Sequence, residues 1–215
     1  MTQSVKTKRS GALLSITLNR PEKANALSKE MLYRLLDLFR EAETDEALRV
    51  IILTGAGERV FCGGADLSQL EEMTSDPDEK IWEDIAAVLA KVPAFTIAKI
   101  NGACIGGGLS MALGCDIRVA VNEAVFAYPA LKNGVFPSKE DCLRLRELIG
   151  PGRMSSILLG ASRISASQAA NWGLIEHCCD VSALDTKVEE LSQVALSVPR
   201  FNLLTMKRLT RGGSL

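Results

Sequence analysis

Asn101-Gly102-Ala103-Cys104-Ile105-Gly106-Gly107-Gly108-Leu109 is the stretch on which the reading of this chain turns. Before it, Phe95 to Ile100 is a short apolar run of the kind found in buried strands. After it, Leu109 to Leu113 opens a helix. The first N–H groups of a helix have no intrahelical partner and carry the positive end of its dipole. Glycines let a ligand approach such a backbone closely. A turn of this kind binds an anion, or an oxygen that becomes anionic during a reaction. The plainer reading is close packing of a helix on a strand. The spacing Gly102-x-x-x-Gly106-Gly107-Gly108 does not match the dinucleotide fingerprint G-x-G-x-x-G. The turn also lies mid-chain rather than after a first strand, so an α/β dinucleotide enzyme is the weakest of three functional readings.

Phe61-Cys62-Gly63-Gly64-Ala65-Asp66 repeats the grammar of strand, glycines and a probable helix. Two such turns in one small domain can offer one N–H each to a single carbonyl oxygen. Around them, Leu14, Ile16 and Leu18 alternate with polar residues as in a half-buried strand, which Pro21 ends. Ser28 reads as an N-cap, with Met31, Leu32, Leu35, Leu36 and Phe39 on one helical face. Val50 to Leu53 is a buried strand. Thr74 to Lys80, with Pro77, reads as an exposed loop. Ile81, Ile85, Val88 and Leu89 share a helix face that Pro93 ends. Ile117 to Val121 and Ala124 to Tyr128 are two more strands. Beyond residue 137 the chain reads as mostly helical, interrupted at Leu174-Ile175. Strands alternating with helices imply an α/β fold. No fixed-period repeat is visible.

The chain has 215 residues, 47% hydrophobic, and a net charge of −1. That suits one globular domain and argues against nucleic-acid binding. No apolar run is long enough for a membrane span, and the basic N-terminus lacks the apolar segment of a secretory signal. Gly213-Ser214-Leu215 lacks the basic residue of a peroxisomal address. A cytoplasmic location is expected, or a mitochondrial matrix in a processed eukaryotic protein. Six cysteines without a C-x-x-C pair and a single histidine, His177, give no zinc pattern. The cysteines read as small buried hydrophobes in a reducing compartment. His177 reads as structural or exposed. Glu71-Glu72 and Asp76 to Glu79 read as solvated surface.

Several blocks, in order, resemble the crotonase superfamily, the enoyl-CoA hydratase/isomerase family. They are Leu18-Asn19-Arg20-Pro21-Glu22-Lys23-Ala24-Asn25-Ala26-Leu27, the two glycine turns, Cys115-Asp116-Ile117-Arg118, Gly150, Leu158-Leu159-Gly160, Ile164-Ser165-Ala166 and Trp172-Gly173-Leu174-Ile175. The resemblance runs from about residue 12 to about 210. It implies a crotonase (ClpP-like) spiral of ββα units over residues 1–180. A helical, shortened C-terminal segment of the same domain would follow over 181–215. It implies homotrimers, often paired into hexamers. It implies an oxyanion hole for a thioester carbonyl, made by the N–H groups of Ala65 and Gly107. Lys23, Ala24 and Ala26 would border the CoA on one side, with Gly64, Asp66 and Leu67 on the other. The partner would be an acyl-CoA or acyl-carrier thioester. No separate cofactor is implied, because CoA arrives with the substrate.

The sequence departs from the family at the two hydratase glutamates. Their positions hold Ser110 and Ala130, and neither acts alone as a base near neutral pH. Ser138 stands where dienoyl-type isomerases and dehalogenases of the family carry a carboxylate. Glu140 or Asp141 is a candidate relocated acid/base. The alternative is that Ser138 is an N-cap and Asp141 part of a capping box. Tyr128 is a candidate hydroxyl donor, or a core aromatic. Hydration is therefore disfavoured. Isomerisation or decarboxylation through a thioester enolate is favoured, and some polyketide-pathway decarboxylases of the superfamily also lack both glutamates. The second reading is a non-catalytic acyl-CoA-binding member or accessory subunit.

Overall fold

The computed structural model describes residues 3–69 and 80–212. The expected acidic surface at Glu71, Glu72 and Asp76 to Glu79, and the loop from Thr74 up to Lys80, lie outside them. So do Gly213, Ser214 and Leu215.

The chain winds as successive ββα units. Strands β1 (Val5–Ser10) and β2 (Leu13–Leu18) precede helix α1 (Lys29–Thr44). Then come β3 (Val50–Gly55), β4 (Val60–Cys62) and α2 (Ile81–Lys91). Next are β5 (Phe95–Ile100), β6 (Ala103–Ile105) and α3 (Gly107–Gly114). After them run β7 (Ile117–Val121), β8 (Val125–Ala127) and α4 (Lys139–Leu158). The chain continues through β9 (Ile164–Ser165), α5 (Ala166–Trp172), β10 (His177–Cys179), α6 (Leu184–Ser197) and α7 (Arg200–Thr210).

The first strand of each unit joins a six-stranded sheet ordered β1-β2-β3-β5-β7-β10. The second strand of the first unit, β2, also lies in that sheet, whereas those of the next three units join β9 in a four-stranded sheet ordered β4-β6-β8-β9. In the first sheet only β1–β2 is antiparallel; in the second only β8–β9 is. This is the spiral that the resemblance implies. Its repeat escapes a fixed-period search because β3, β5 and β7 begin at Val50, Phe95 and Ile117, at unequal intervals.

Four strands were not expected: β1, β6, which lies inside the stretch read as a glycine-rich turn, β9 and β10. In β1 only Val5 is buried and five residues are exposed, so no apolar alternation marks it. Strand β10 is His177-Cys178-Cys179, each half-buried, at the sheet edge beside β7. The strand thus falls after Leu174-Ile175 rather than on it, and His177 is a strand residue. The short β9 also interrupts the expected helical region. The cysteine reading is half corrected: Cys62, Cys104 and Cys115 are buried, whereas Cys142, Cys178 and Cys179 are half-buried. Burial pushes the Cys62 and Cys115 thiols up to about 12, which keeps them protonated.

Close approaches hold the two sheets in register. A Cβ on Gly102 would fall 2.1 Å from the Arg59 carbonyl oxygen. Beside it, the Asn101 side chain accepts from Gly55 N–H at 3.1 Å and donates to Gly57 O at 2.7 Å. The far end of α3 is fixed by Arg118, which is fully buried. Its guanidinium donates to Leu174 O at 2.8 Å and Cys115 O at 3.1 Å, and pairs with Glu176. A cation at the carbonyl end of a helix is also favourable to the dipole. Helix α7 is anchored by Lys207 and Arg211 on Asp116, at 2.8 and 2.6 Å. Helix α4 bends at Gly150 (φ 78°, ψ 166°), with Pro151 starting its second half. No helix among the described residues is long and apolar enough to cross a membrane.

Candidate active site

Strands β4, β6 and β8 lie side by side and parallel, so their C-terminal ends open onto one edge. Three successive turns of the spiral thus deliver equivalent positions to one place. Strand β4 delivers Gly63-Gly64-Ala65, β6 delivers Gly106-Gly107, and β8 delivers Tyr128-Pro129-Ala130. All of these residues line one cavity of about 870 Å³. A second cavity, of about 490 Å³, lies against α6 and α7. There Lys207 and Arg211 both pair with Asp116.

The two glycine turns are in contact. A Cβ on Gly64 would fall 3.8 Å from Gly107 N, and one on Gly107 would fall 3.5 Å from Ala65 N. Gly64 O accepts from Leu27 N–H and Leu27 O accepts from Asp66 N–H, both at 2.8 Å. Gly106 N–H donates to Ala127 O at 2.9 Å. The backbone on either side is therefore fixed. The Ala65 and Gly107 N–H groups find no acceptor among the described residues. They are two close, preorganised donors on the cavity wall. The expected helix after Asp66 is, among the described residues, only a 3-10 turn, Leu67–Gln69.

Residues 20–26 form the neighbouring rim. Ala24 and Asn25 both adopt positive φ, and Ala24 O accepts from Gly63 N–H at 2.8 Å. Buried Asn25 donates to Ala56 O and Val60 O at 3.0 and 2.9 Å. Lys23 and Ala24 are exposed and Ala26 half-buried, next to the Gly63–Ala65 turn but outside the cavity lining. Leu67 lines the cavity and is 61% exposed. The Asp66 carboxylate instead holds the turn together. It accepts from Arg20 at 3.0 Å and from the Ser68 hydroxyl at 2.7 Å, and these bonds hold its pKa below the usual carboxylate value.

The same cavity is lined by a buried polar chain. The Tyr128 hydroxyl donates to Asp141 Oδ2 at 2.9 Å and lies 2.7 Å from the Ser110 hydroxyl. Tyr128 has one hydroxyl hydrogen, so while it donates to Asp141 the Ser110 hydroxyl must donate to Tyr128. Ser138 caps α4 by accepting from Asp141 N–H at 3.0 Å. The Asp141 side chain turns to Tyr128 rather than closing a capping box, which corrects that expectation. Burial raises the Asp141 pKa above its ordinary value, opposed by hydrogen bonds from Ser110, Tyr128 and Ser138. Burial and the Asp141 charge push the Tyr128 hydroxyl up, so it stays neutral. The structure separates the two acid/base candidates. Asp141 is 6% exposed and lines the cavity; Glu140 is exposed and does not, so its candidacy is corrected. Ser110 and Ala130 line the cavity too.

Sequence reading missed Trp82, Lys132 and Arg163 as lining residues and Arg20 as the brace on Asp66. The only signals available were the nearness of Lys132 to Ala130 and of Arg163 to Ile164-Ser165-Ala166. Among the described residues no group of three or more metal-ligating side chains occurs.

A family model described as enoyl-CoA hydratase/isomerase matches residues 8–211. YngF of Bacillus subtilis strain 168, which carries a provisional enoyl-CoA hydratase/isomerase name, is 40% identical over 180 residues, covering 82% of this chain and 69% of YngF. A carnitinyl-CoA dehydratase of Citrobacter koseri is 32% identical, covering 100% of this chain and 82% of that protein. The crystal structure of an enoyl-CoA hydratase from Bacillus anthracis superposes with a TM-score of 0.87 at 30% identity, covering 97% of this chain and 83% of that one. Sequence, fold and the paired donors on the cavity wall agree, and the chain belongs to the enoyl-CoA hydratase/isomerase family of the crotonase superfamily.

Proposed function

We propose that this protein binds an acyl-CoA thioester and stabilises its enolate between Ala65 N–H and Gly107 N–H, with Asp141 and Tyr128 handling the proton. The observation that carries this reading is the chain Ser110–Tyr128–Asp141 on the wall of the cavity that holds the two free donors. Enolate formation places negative charge on the thioester oxygen. Fixed N–H donors stabilise that oxygen most once the charge has developed. Among the described residues Asp141 is the only carboxylate lining the cavity. Ionised, it accepts a proton relayed by Tyr128. Protonated, it donates to the Tyr128 oxygen, and Tyr128 then donates to Ser110. The chain can therefore run in either direction, taking a proton from one carbon of the acyl group and returning it at another.

Hydration asks for a group that activates water and another that protonates carbon. Ser110 and Ala130 supply neither. One reversible proton carrier suits a double-bond isomerisation. It also suits decarboxylation, in which carbon dioxide leaves with no base and a single proton quenches the enolate.

The test is exchange of the α-protons of butyryl-CoA in deuterated water, followed by NMR, beside hydration of crotonyl-CoA. Exchange without hydration is expected, with Asp141→Asn lowering the exchange rate by roughly 10²-fold or more. Fast hydration would overturn the preference for isomerisation or decarboxylation. Binding without exchange, in the parent and across a panel of unsaturated and dicarboxylic thioesters, would make the protein an acyl-CoA binder and not an enzyme.

A further inference from the structure

The cavity carries two cations that the proton-handling chain does not use. Lys132 and Arg163 both line it, both are exposed, and neither side chain forms an ion pair or hydrogen bond among the described residues. The one carboxylate that the described residues place on the wall, Asp141, is committed to Tyr128. Both cations therefore line the cavity without a counter-charge among the described residues.

Their place in the sheet separates them from the CoA rim. Phe126 pairs with Ile164 and Val125 with Ser165, so the antiparallel register sets Arg163 against Ala127. Ala127 in turn pairs with Ile105, the residue before the Gly106-Gly107 turn. Arg163 therefore lies in the same row as that turn, two strands away, roughly 10 Å along the sheet. The rim at Lys23 to Ala26 lies at the opposite side, against the β4 turn through the Gly63–Ala24 hydrogen bond. Lys132 stands in the turn Leu131–Asn133 after Ala130, on the β8 side as well. A thioester with its oxygen at Ala65 and Gly107 and its CoA over residues 23–26 must extend its acyl end toward β8 and β9.

We infer that Lys132 and Arg163 receive a carboxylate at the far end of a short acyl chain, so that the substrates are ω-carboxyacyl thioesters. This deepens the thioester reading above and rests on it. The guanidinium offers a planar fork matched to a carboxylate, and the ammonium offers a second, mobile charge. Both groups are partly in water, which keeps their effect moderate.

The test compares binding of glutaryl-CoA and pentanoyl-CoA, equal in chain length and identical in their nucleotide, by titration calorimetry. Parent, Arg163→Met, Lys132→Met and the double variant are compared. Neither ligand has a double bond to react, so the measurement does not depend on catalysis. Glutaryl-CoA should bind the parent roughly tenfold more tightly than pentanoyl-CoA, the effect of one or two partly exposed charge pairs. Each single substitution should remove part of that preference and the double variant all of it, with pentanoyl-CoA unchanged. Equal binding of the two ligands by the parent would overturn the inference. So would an equal loss on both ligands, which would assign the cations to the CoA phosphates. The corresponding pantetheine thioesters, which lack the nucleotide, should keep the preference if the inference holds and lose it otherwise. If neither thioester binds at all, the thioester reading itself has failed. Selective binding of glutaryl-CoA without α-proton exchange would sustain the substrate class and remove only the catalytic part of that reading.

Discussion

Replacing Gly107 by alanine tests the paired donors most directly. The added Cβ would stand 2.5 Å from Trp82 Cη2 and 2.9 Å from Cζ3, and 3.5 Å from Ala65 N. Carbon atoms in contact sit about 3.5–4.0 Å apart. The ring must therefore give way by about 1 Å. Trp82 is half-buried in the first turn of α2, and crowding of this kind costs about 1–3 kcal/mol. At about 2–4 °C of Tm per kcal/mol for a chain of this size, the loss is a few degrees and the fold survives. The effect on chemistry is larger. An oxygen bonded to both N–H groups must sit about 2.7–3.1 Å from each. The new methyl group, 3.5 Å from Ala65 N, intrudes on that position. Loss of one such donor costs about 3 kcal/mol, or roughly 10²-fold in rate, and the methyl group disturbs both. The assay is α-proton exchange of butyryl-CoA beside a thermal melt. The double variant Trp82→Ala, Gly107→Ala removes the crowding and leaves the methyl group at the donors. Its melting temperature should recover relative to a Trp82→Ala control, while its exchange should stay slow. If exchange recovers together with stability, the single variant failed through packing and the oxyanion argument is refuted.

Other predictions are independent of that one. Asp141 has a raised pKa in the folded state, so its contribution to stability is present at low pH and is lost as pH rises through the raised value. Asp141→Asn removes this loss, so melting temperatures measured from acid to neutral pH should fall less for the variant than for the parent, while its exchange slows by roughly 10²-fold or more. In the parent, exchange should increase with pH through the same titration, because only ionised Asp141 accepts a proton; a flat profile would exclude it as the base. Arg20→Met keeps the side chain's stem but takes the partner from Asp66 and the donor from Ala26 O, which lies 2.8 Å from Arg20 Nη1. It should cost roughly 1–3 kcal/mol in a denaturant titration and slow exchange as well, through the Ala65 turn; unchanged exchange would free the brace of any part in the site. Gly152→Ala follows Pro151 in the second half of α4, and its Cβ meets nothing within 4 Å. It should stabilise by about 0.4–1 kcal/mol with activity intact, the reverse of Gly107→Ala.

Much of the fold was legible because burial follows simple periods. The α1 face at Met31, Leu32, Leu35, Leu36 and Phe39 is buried, and Ser28 accepts from Met31 N–H at 3.2 Å as its cap. The apolar runs at Val50 to Leu53 and Phe95 to Ile100 are neighbouring central strands. Edge strands escaped for the converse reason. Strand β1 pairs through its backbone along all six residues while burying only Val5. Strand β10 holds His177, Cys178 and Cys179 at the other edge. Hydrogen bonding by the main chain leaves no mark on side-chain pattern unless one face is buried.

At the site, the backbone donors were legible and the proposed proton carriers only half so. A glycine turn between a strand and a helix is a local signal; the Gly106-Gly107 turn opens such a helix, whereas the Gly63-Gly64 turn is followed, among the described residues, by a 3-10 turn. The bond from Tyr128 to Asp141 joins the end of β8 to the first turn of α4, and Ser110 comes from a different unit of the spiral. Sequence offered Glu140 and Asp141 as equals; only the facing of the first turn of α4 separates them. The same geometry ties the chemistry to the charge of the cavity. Where the family pattern has two glutamates, this chain has Ser110 and Ala130, and the one carboxylate that the described residues place on the wall, Asp141, is buried, which raises its pKa. Lys132 and Arg163 remain on that wall without a described counter-charge. Removing acidic groups while keeping cations leaves a cavity whose potential favours an anion. A substrate that carries its own carboxylate answers that charge, and a proton carrier of one group suffices for it where hydration would need two. If glutaryl-CoA and pentanoyl-CoA bind alike, this link between the missing glutamates and the unpaired cations is broken, and the two must be explained separately.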